Sequence, residues 1–145
     1  MVRKMNQVFK AYSDFWGQFV NPSKGKPIKT FPEGLANEQD GDKIKAPSFP
    51  YITYPIIRPG FTQSAIGTAS IWDKSVSEPG FLGLVSDVLE QVAETIPEEG
   101  IIIKTSDTGA IWIQRGSNFM NIIGDPSDPA IVRGVVNLVI RSHVL

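Results

Sequence analysis

The sequence predicts an α+β fold: a largely antiparallel β-sheet with two helices packed on one face, and a long loop after the N-terminal helix. Three observations carry this. Two stretches repeat apolar residues at three- and four-residue steps, the last third alternates β-branched residues between turn signals, and a proline-rich stretch with no period separates the first helix from the rest.

The first helix spans 4–20, where Met5, Val8, Phe9, Tyr12, Phe15, Trp16 and Phe19 form one aromatic stripe that suits packing on a sheet. From Asn21 to Phe49 the pattern stops. Pro22, Pro27, Pro32 and Pro47 alternate with Gly25, Gly34, Gly41 and scattered charges. A structureless stretch of this length inside a compact domain is usually functional or disordered. It reads either as a loose linker or as an arm that orders on a neighbouring subunit through Ile28, Phe31, Leu35 and Ile44.

Residues 50–145 then supply sheet and helix. Pro50–Arg58 is β-branched and aromatic, with Pro55 marking an edge strand or a bulge. Ala65–Trp72 is its hairpin partner, across a loop at Pro59–Gln63. The second helix runs over Ser77–Ile96: Ser77 can cap it, Pro79 fits the first turn, and Pro97 stops it. Phe81, Leu84, Val85, Val88, Leu89, Val92 and Ile96 mark its apolar stripe, while Asp87, Glu90 and Glu94 lie on the wet side. Strands follow at Ile101–Thr105, Ala110–Arg115, Asn118–Ile123 and Ala130–His143, with turns at Asp107–Gly109, Gly116–Ser117 and Gly124–Pro129. In the last strand Val132, Gly134, Val136, Leu138 and Ile140 face one way. Ile131, Arg133, Val135, Asn137, Val139 and Arg141 face the other. That second face is half apolar and half cationic or amide, which suits cover by another subunit better than open water. The 145 residues are expected to make one domain.

Composition narrows the function classes. Fourteen basic and 15 acidic residues give a formal charge of −1, so no polybasic footprint argues for sequence-specific nucleic acid or an anionic membrane. With no cysteine, thiolate chemistry and disulfides are excluded. The run Ala130–Ile140 is too short and polar to span a bilayer, and 1–10 lacks the apolar core of a secretory signal, so synthesis in the cytoplasm is expected.

Catalytic motifs are not found. The single histidine, His143, leaves no Ser-His-Asp triad or two-histidine metal site within one chain, and no phosphate-binding glycine motif occurs. Asp125-Pro-Ser-Asp128 lacks the spacing of a calcium loop and reads as a turn; Glu98-Glu99 sits in solvent past a helix end. Tyr51, Tyr54, Trp72 and Trp112 resemble a base-stacking platform only without its interleaved cations, so packing in a core or an interface is the better reading. No catalytic, cofactor-binding or metal residue is therefore assigned.

The order of the pieces PYITYPIIRP, ASIWDKS, FLGLVSDVLEQV and AIWIQRGSNFMNIIGDPSDPAIVRGVVNLVIRSHVL resembles the neck and tail terminator proteins of phages, including those of contractile phages and tail-like bacteriocins. The resemblance covers about 50–145. It implies an α+β subunit that forms a hexameric ring with copies of itself, caps the tail-tube protein, stops tube growth and meets the head connector or neck, and the sheath where the tail contracts. It implies a structural role in the virion, assembled in the host cytoplasm, with no enzymatic activity and no cofactor. Alternatives are another head–tail joining protein, a tail-tube subunit, and, from a different class, a small enzyme or ligand-binding module. On the assembly reading, the interface candidates are Ile28, Phe31 and Leu35 in the loop, and Ile131, Arg133, Val135, Val139 and Arg141 on the last strand.

Overall fold

A computed structural model describes residues 2–33, 36–55, 64–74, 84–104, 109–125, 127–128 and 130–144. The architecture is α+β. Helices α1 (Val2–Trp16) and α2 (Val85–Thr95) accompany ten strands: β1 (Val20–Asn21), β2 (Lys26–Pro27), β3 (Lys29–Pro32), β4 (Glu38–Asp40), β5 (Lys43–Lys45), β6 (Tyr51–Tyr54), β7 (Ser64–Lys74), β8 (Ile101–Lys104), β9 (Gly109–Gly124) and β10 (Ile131–Val144). Six of them form the main sheet in the order β3-β6-β7-β10-β9-β8, antiparallel throughout except for the β3–β6 pair.

Period-2 alternation gives the sheet one closely packed face. Ile52, Tyr54, Ala69, Ile71, Ile111, Ile113, Val132, Val136, Leu138 and Ile140 are all buried there, in one cluster with Tyr12, Phe15, Trp16 and Phe19 from the first helical segment and Val85, Val88, Leu89 and Val92 from α2. Tyr12 meets Tyr54 edge-to-face at 5.8 Å, which seats α1 over this face. The second helix seats over it too: a Cβ added to Gly134 would lie 2.7 Å from Val85 Cγ1 and 3.3 Å from Leu89. Glycine at 134 is what lets α2 come this close to β10.

Two side chains close the ends of α2. Leu84, at the N-cap, offers no side-chain acceptor; its N–H instead donates to Oδ2 of Asp73 at 2.8 Å, and Asp73 Oδ1 accepts from the Lys74 N–H. This is why a carboxylate at the end of β7 can be buried. At the other end Arg115 donates to the carbonyls of Ile96 (2.7 Å) and Ala93 (3.1 Å), a cation where the helix dipole is negative. Thr95 is the last helical residue, so the expected stop before Pro97 holds; Ser77, Pro79 and Phe81 lie outside the described residues.

Three expectations need correction. The first helix ends at Trp16, not at 20, because Val20 enters a short ribbon with Pro27. The long segment that follows is not the structureless loop or arm expected: it carries β1 to β5 and is built into the fold as far as β3. Gln91 of α2 acts as a strand partner for Val20: its Oε1 accepts from the Val20 N–H at 3.0 Å and its Nε2 donates to the Val20 carbonyl at 2.8 Å. Ile28 is buried in the core, and β3 adds a parallel edge strand to β6. Only the β4–β5 hairpin stands out, with Ile44 72% exposed. Third, Gly116–Ser117 is not a turn between strands. The chain runs straight through as β9, and four residues, 116–119, stand opposite Asn137 alone. Asn118 takes φ 50°, a left-handed conformation that asparagine tolerates, and Asn137 Nδ2 holds the bulge by donating to the Asn118 carbonyl at 2.7 Å.

Candidate functional site

The same alternation that fills the core points every second residue of the sheet the other way, and neither helix packs on that side. Registers place Tyr51, Trp72, Arg133 and Ile123 on one row, Ile66, Val139 and Gln114 on another, and Arg141, Trp112 and Ile102 on a third. This open face has two ends and a middle.

At the β6 end an aromatic ladder forms. Tyr51 stacks on Trp72 with centroids 6.1 Å apart, Phe49 tilts onto Tyr51 at 5.4 Å, and Phe31 meets Tyr51 edge-on at 6.2 Å. The Arg133 guanidinium lies 4.9 Å over the Trp72 ring and donates from Nε to Ser70 Oγ at 2.9 Å, while Trp72 Nε1 donates to Thr53 Oγ1 at 3.0 Å. Partial burial raises the Tyr51 phenol above its ordinary pKa, so it stays neutral. Towards the β8 end Arg141 lies 5.6 Å over Trp112, near two isoleucines that are among the most exposed large apolar side chains described: Ile66 at 82% and Ile102 at 68%. The middle is polar. Thr68 Oγ1 donates to Asn137 Oδ1 at 2.8 Å, in the row next to Ser70 and Asn121.

The face is cationic. Lys29, Lys74, Lys104, Arg133 and Arg141 project from it by strand parity, and among the described strand residues no carboxylate does. Lys29 is paired at the edge by Glu38 (2.6 Å) and Lys74 by Asp128 (3.6 Å); Lys104, Arg133 and Arg141 make no ion pair among the described residues.

The expected interface residues divide accordingly. Ile131, Arg133, Val139 and Arg141 do share the open face, and Phe31 joins them through Tyr51. Val135 also points this way, but it is only 8% exposed in the single chain, so no partner is needed to cover it. Ile28 is corrected: it belongs to the core. Leu35 lies outside the described residues. The sequence left Tyr51, Trp72 and Trp112 between core and interface and gave them no neighbouring cations, whereas Arg133 and Arg141 lie over the two indoles; it missed Phe49, Ile66 and Ile102 as members of this surface. Except for Phe49, which precedes β6, their signal was the alternation in their own strands, which fixes a shared face only once the strand order is known.

Among the described residues no group of three or more metal-ligating side chains converges. The two carboxyls with lowered pKa have local causes: a hydrogen bond from Lys29 for Glu38, and hydrogen bonds from Ser127 for Asp125. Asp125 Oδ1 accepts from the Ser127 N–H (2.8 Å) and hydroxyl (2.7 Å), and Asp128 Oδ1 accepts from the Ala130 N–H (3.0 Å), so both aspartates serve the β9–β10 turn. Among the described residues, no helix is long and apolar enough to cross a membrane.

No protein-family model, curated protein or solved structure matches this chain. The chemistry of the open face and the order of sequence segments are what bear on its role.

Proposed function

We propose that this chain is a structural subunit of a phage-type tail terminator, which joins copies of itself into a closed ring, caps the end of a tail tube, stops its growth and presents a surface to the head connector or neck. The observation that carries the self-association is the β8 end of the open face. Ile66 and Ile102 are left in water on a surface that also holds Trp112, Val139 and Arg141, and a patch of large apolar side chains over two neighbouring rows with a cation among them has the make-up of a protein contact. The tail assignment and the hexameric count come from the resemblance of 50–145 to terminator proteins. The projecting β4–β5 hairpin, with Ile44 exposed between Lys43 and Lys45, suits a second contact, with the tube or the sheath.

Polymerisation of a tail-tube protein in the presence of the purified chain tests this reading. Substoichiometric chain should shorten the tubes and appear at one end of each by electron microscopy. Tubes of unchanged length with bare ends would overturn the capping function. Growth of the chain by itself into long tubes would make it a tube subunit instead.

A further inference from the structure

Which surface of a second copy covers the open face? Like charge excludes the simplest answer. Two open faces laid together would each bring Lys104, Arg133 and Arg141 with no carboxylate between them, so a two-fold symmetric contact sets cations against cations.

The complementary surface lies on the opposite side of the same molecule. Residues 85–99, from the start of α2 to the turn before β8, contain no lysine or arginine. They present five exposed carboxylates, Asp87, Glu90, Glu94, Glu98 and Glu99, none of which makes an ion pair among the described residues. α2 packs on the covered face of the sheet through Val85, Val88, Leu89 and Val92, so its outer side points away from the open face. The net charge of −1 thus includes a local separation: cations on one side of the sheet, carboxylates on the outer side of α2 and the turn that follows it. One copy cannot bring the two together. Two copies can, and only in one polarity.

We propose that the open sheet face receives the acidic outer side of α2 from a second copy, in a head-to-tail contact that repeats from subunit to subunit. A heterologous contact of this kind closes into a ring when each step adds a rotation that divides the circle, and otherwise runs on as a filament. Glu90 and Glu94, one turn apart on α2, meet Lys104 and Arg141, while Ile66 and Ile102 lie inside the contact, where exclusion of water strengthens each pair. The proposal rests on the self-association in the function above and not on the tail.

The test uses exposed residues only, so that the fold is spared. Lys104→Glu with Arg141→Glu reverses the face; Glu90→Lys with Glu94→Lys reverses the helix. Light scattering after size exclusion gives the mass in about 50 mM and about 1 M salt, conditions in which screening differs severalfold. Wild type should assemble to a finite mass at low salt and weaken at high salt. Each reversed variant should remain folded by circular dichroism and associate roughly a hundredfold more weakly. Mixed in equal amounts, the two variants should recover the wild-type mass, because the acidic helix of the first then meets the basic face of the second, and the basic helix of the second meets the acidic face of the first. The proposal is overturned if wild type stays monomeric, if either variant assembles alone as well as wild type, or if the mixture of folded variants stays monomeric. Tube arrest reads the function separately: a chain that passes the mixing test and leaves tubes uncapped keeps the contact and loses the terminator role.

Discussion

The two faces of the main sheet obey the same alternation and end differently. On the covered face the alternating residues are Ile, Val, Leu and Ala, buried beneath two helices, and the contact is tight enough that position 134 has room only for glycine. On the open face the alternating residues are Trp, Arg, Asn, Tyr and Ile, and they meet each other in place of a helix. Guanidinium over indole and threonine to asparagine are contacts that tolerate water and can be completed by a second molecule. The comparison separates what the chain uses to fold from what it leaves exposed.

Breaking the covered face should have the largest effect. Leu89→Ala should lower stability by about 2–5 kcal/mol in denaturant titration, the usual range for emptying a packed core site. A loss under about 1 kcal/mol would mean that α2 is not seated on β10 as described.

Two substitutions on the open face then sharpen the contrast. Val135 and Ile66 have the same orientation, yet Val135 is 8% exposed and Ile66 82%. Val135→Glu buries an unpaired carboxylate and should cost at least about 2 kcal/mol in the single chain. Ile66→Glu should fall within about 0.5 kcal/mol of wild type, as surface changes do, and should act on self-association alone. Equal stability losses in the two variants would erase the distinction between residues used for folding and residues left for contact.

The smallest effect belongs to the edge. Glu38 accepts from Lys29 Nζ at 2.6 Å and from the Ser48 N–H at 3.1 Å, which ties the β4–β5 hairpin to β3 and lowers the carboxyl pKa below its ordinary value. A carboxylate with a depressed folded pKa contributes fully above its unfolded value, near about 4.3, and its contribution is lost as pH falls through the folded one. Amide exchange of residues 38–45 should therefore speed up, relative to the core, only at strongly acid pH. An unchanged ratio there would show that the hairpin is held by other contacts.

Much of this fold was legible in the sequence, because it is written in periods. The stripe of α2 and the alternation of β10 each need only their own segment, and both faces of β10 can be assigned from it. The parts that escaped depend on distant residues. β3 is four residues long, ends in a proline and finds its parallel partner across the β4–β5 hairpin, so no local pattern announces it. The Asp73 cap and the Arg115 contact join α2 to the ends of other elements, and a one-dimensional reading sees them only as a charge in a strand. The open-face site was half visible for the same reason: Arg133, Val139 and Arg141 lie on one strand, whereas Trp72, Ile66 and Ile102 join them only through strand order.

That order has a consequence for synthesis. β10 is hydrogen-bonded to β7 on one side and β9 on the other, at the centre of the sheet, yet it is the last of the ten strands to leave the ribosome. Before it emerges, β3, β6 and β7 form one half of the sheet and β8 and β9 the other, with nothing between them. The two halves of the sheet can therefore be joined only after every other strand has been made, and a chain interrupted short of β10 lacks the central strand of both the covered face and the open one. An incomplete chain is thereby kept from completing its fold until synthesis has passed the strand that joins its two halves.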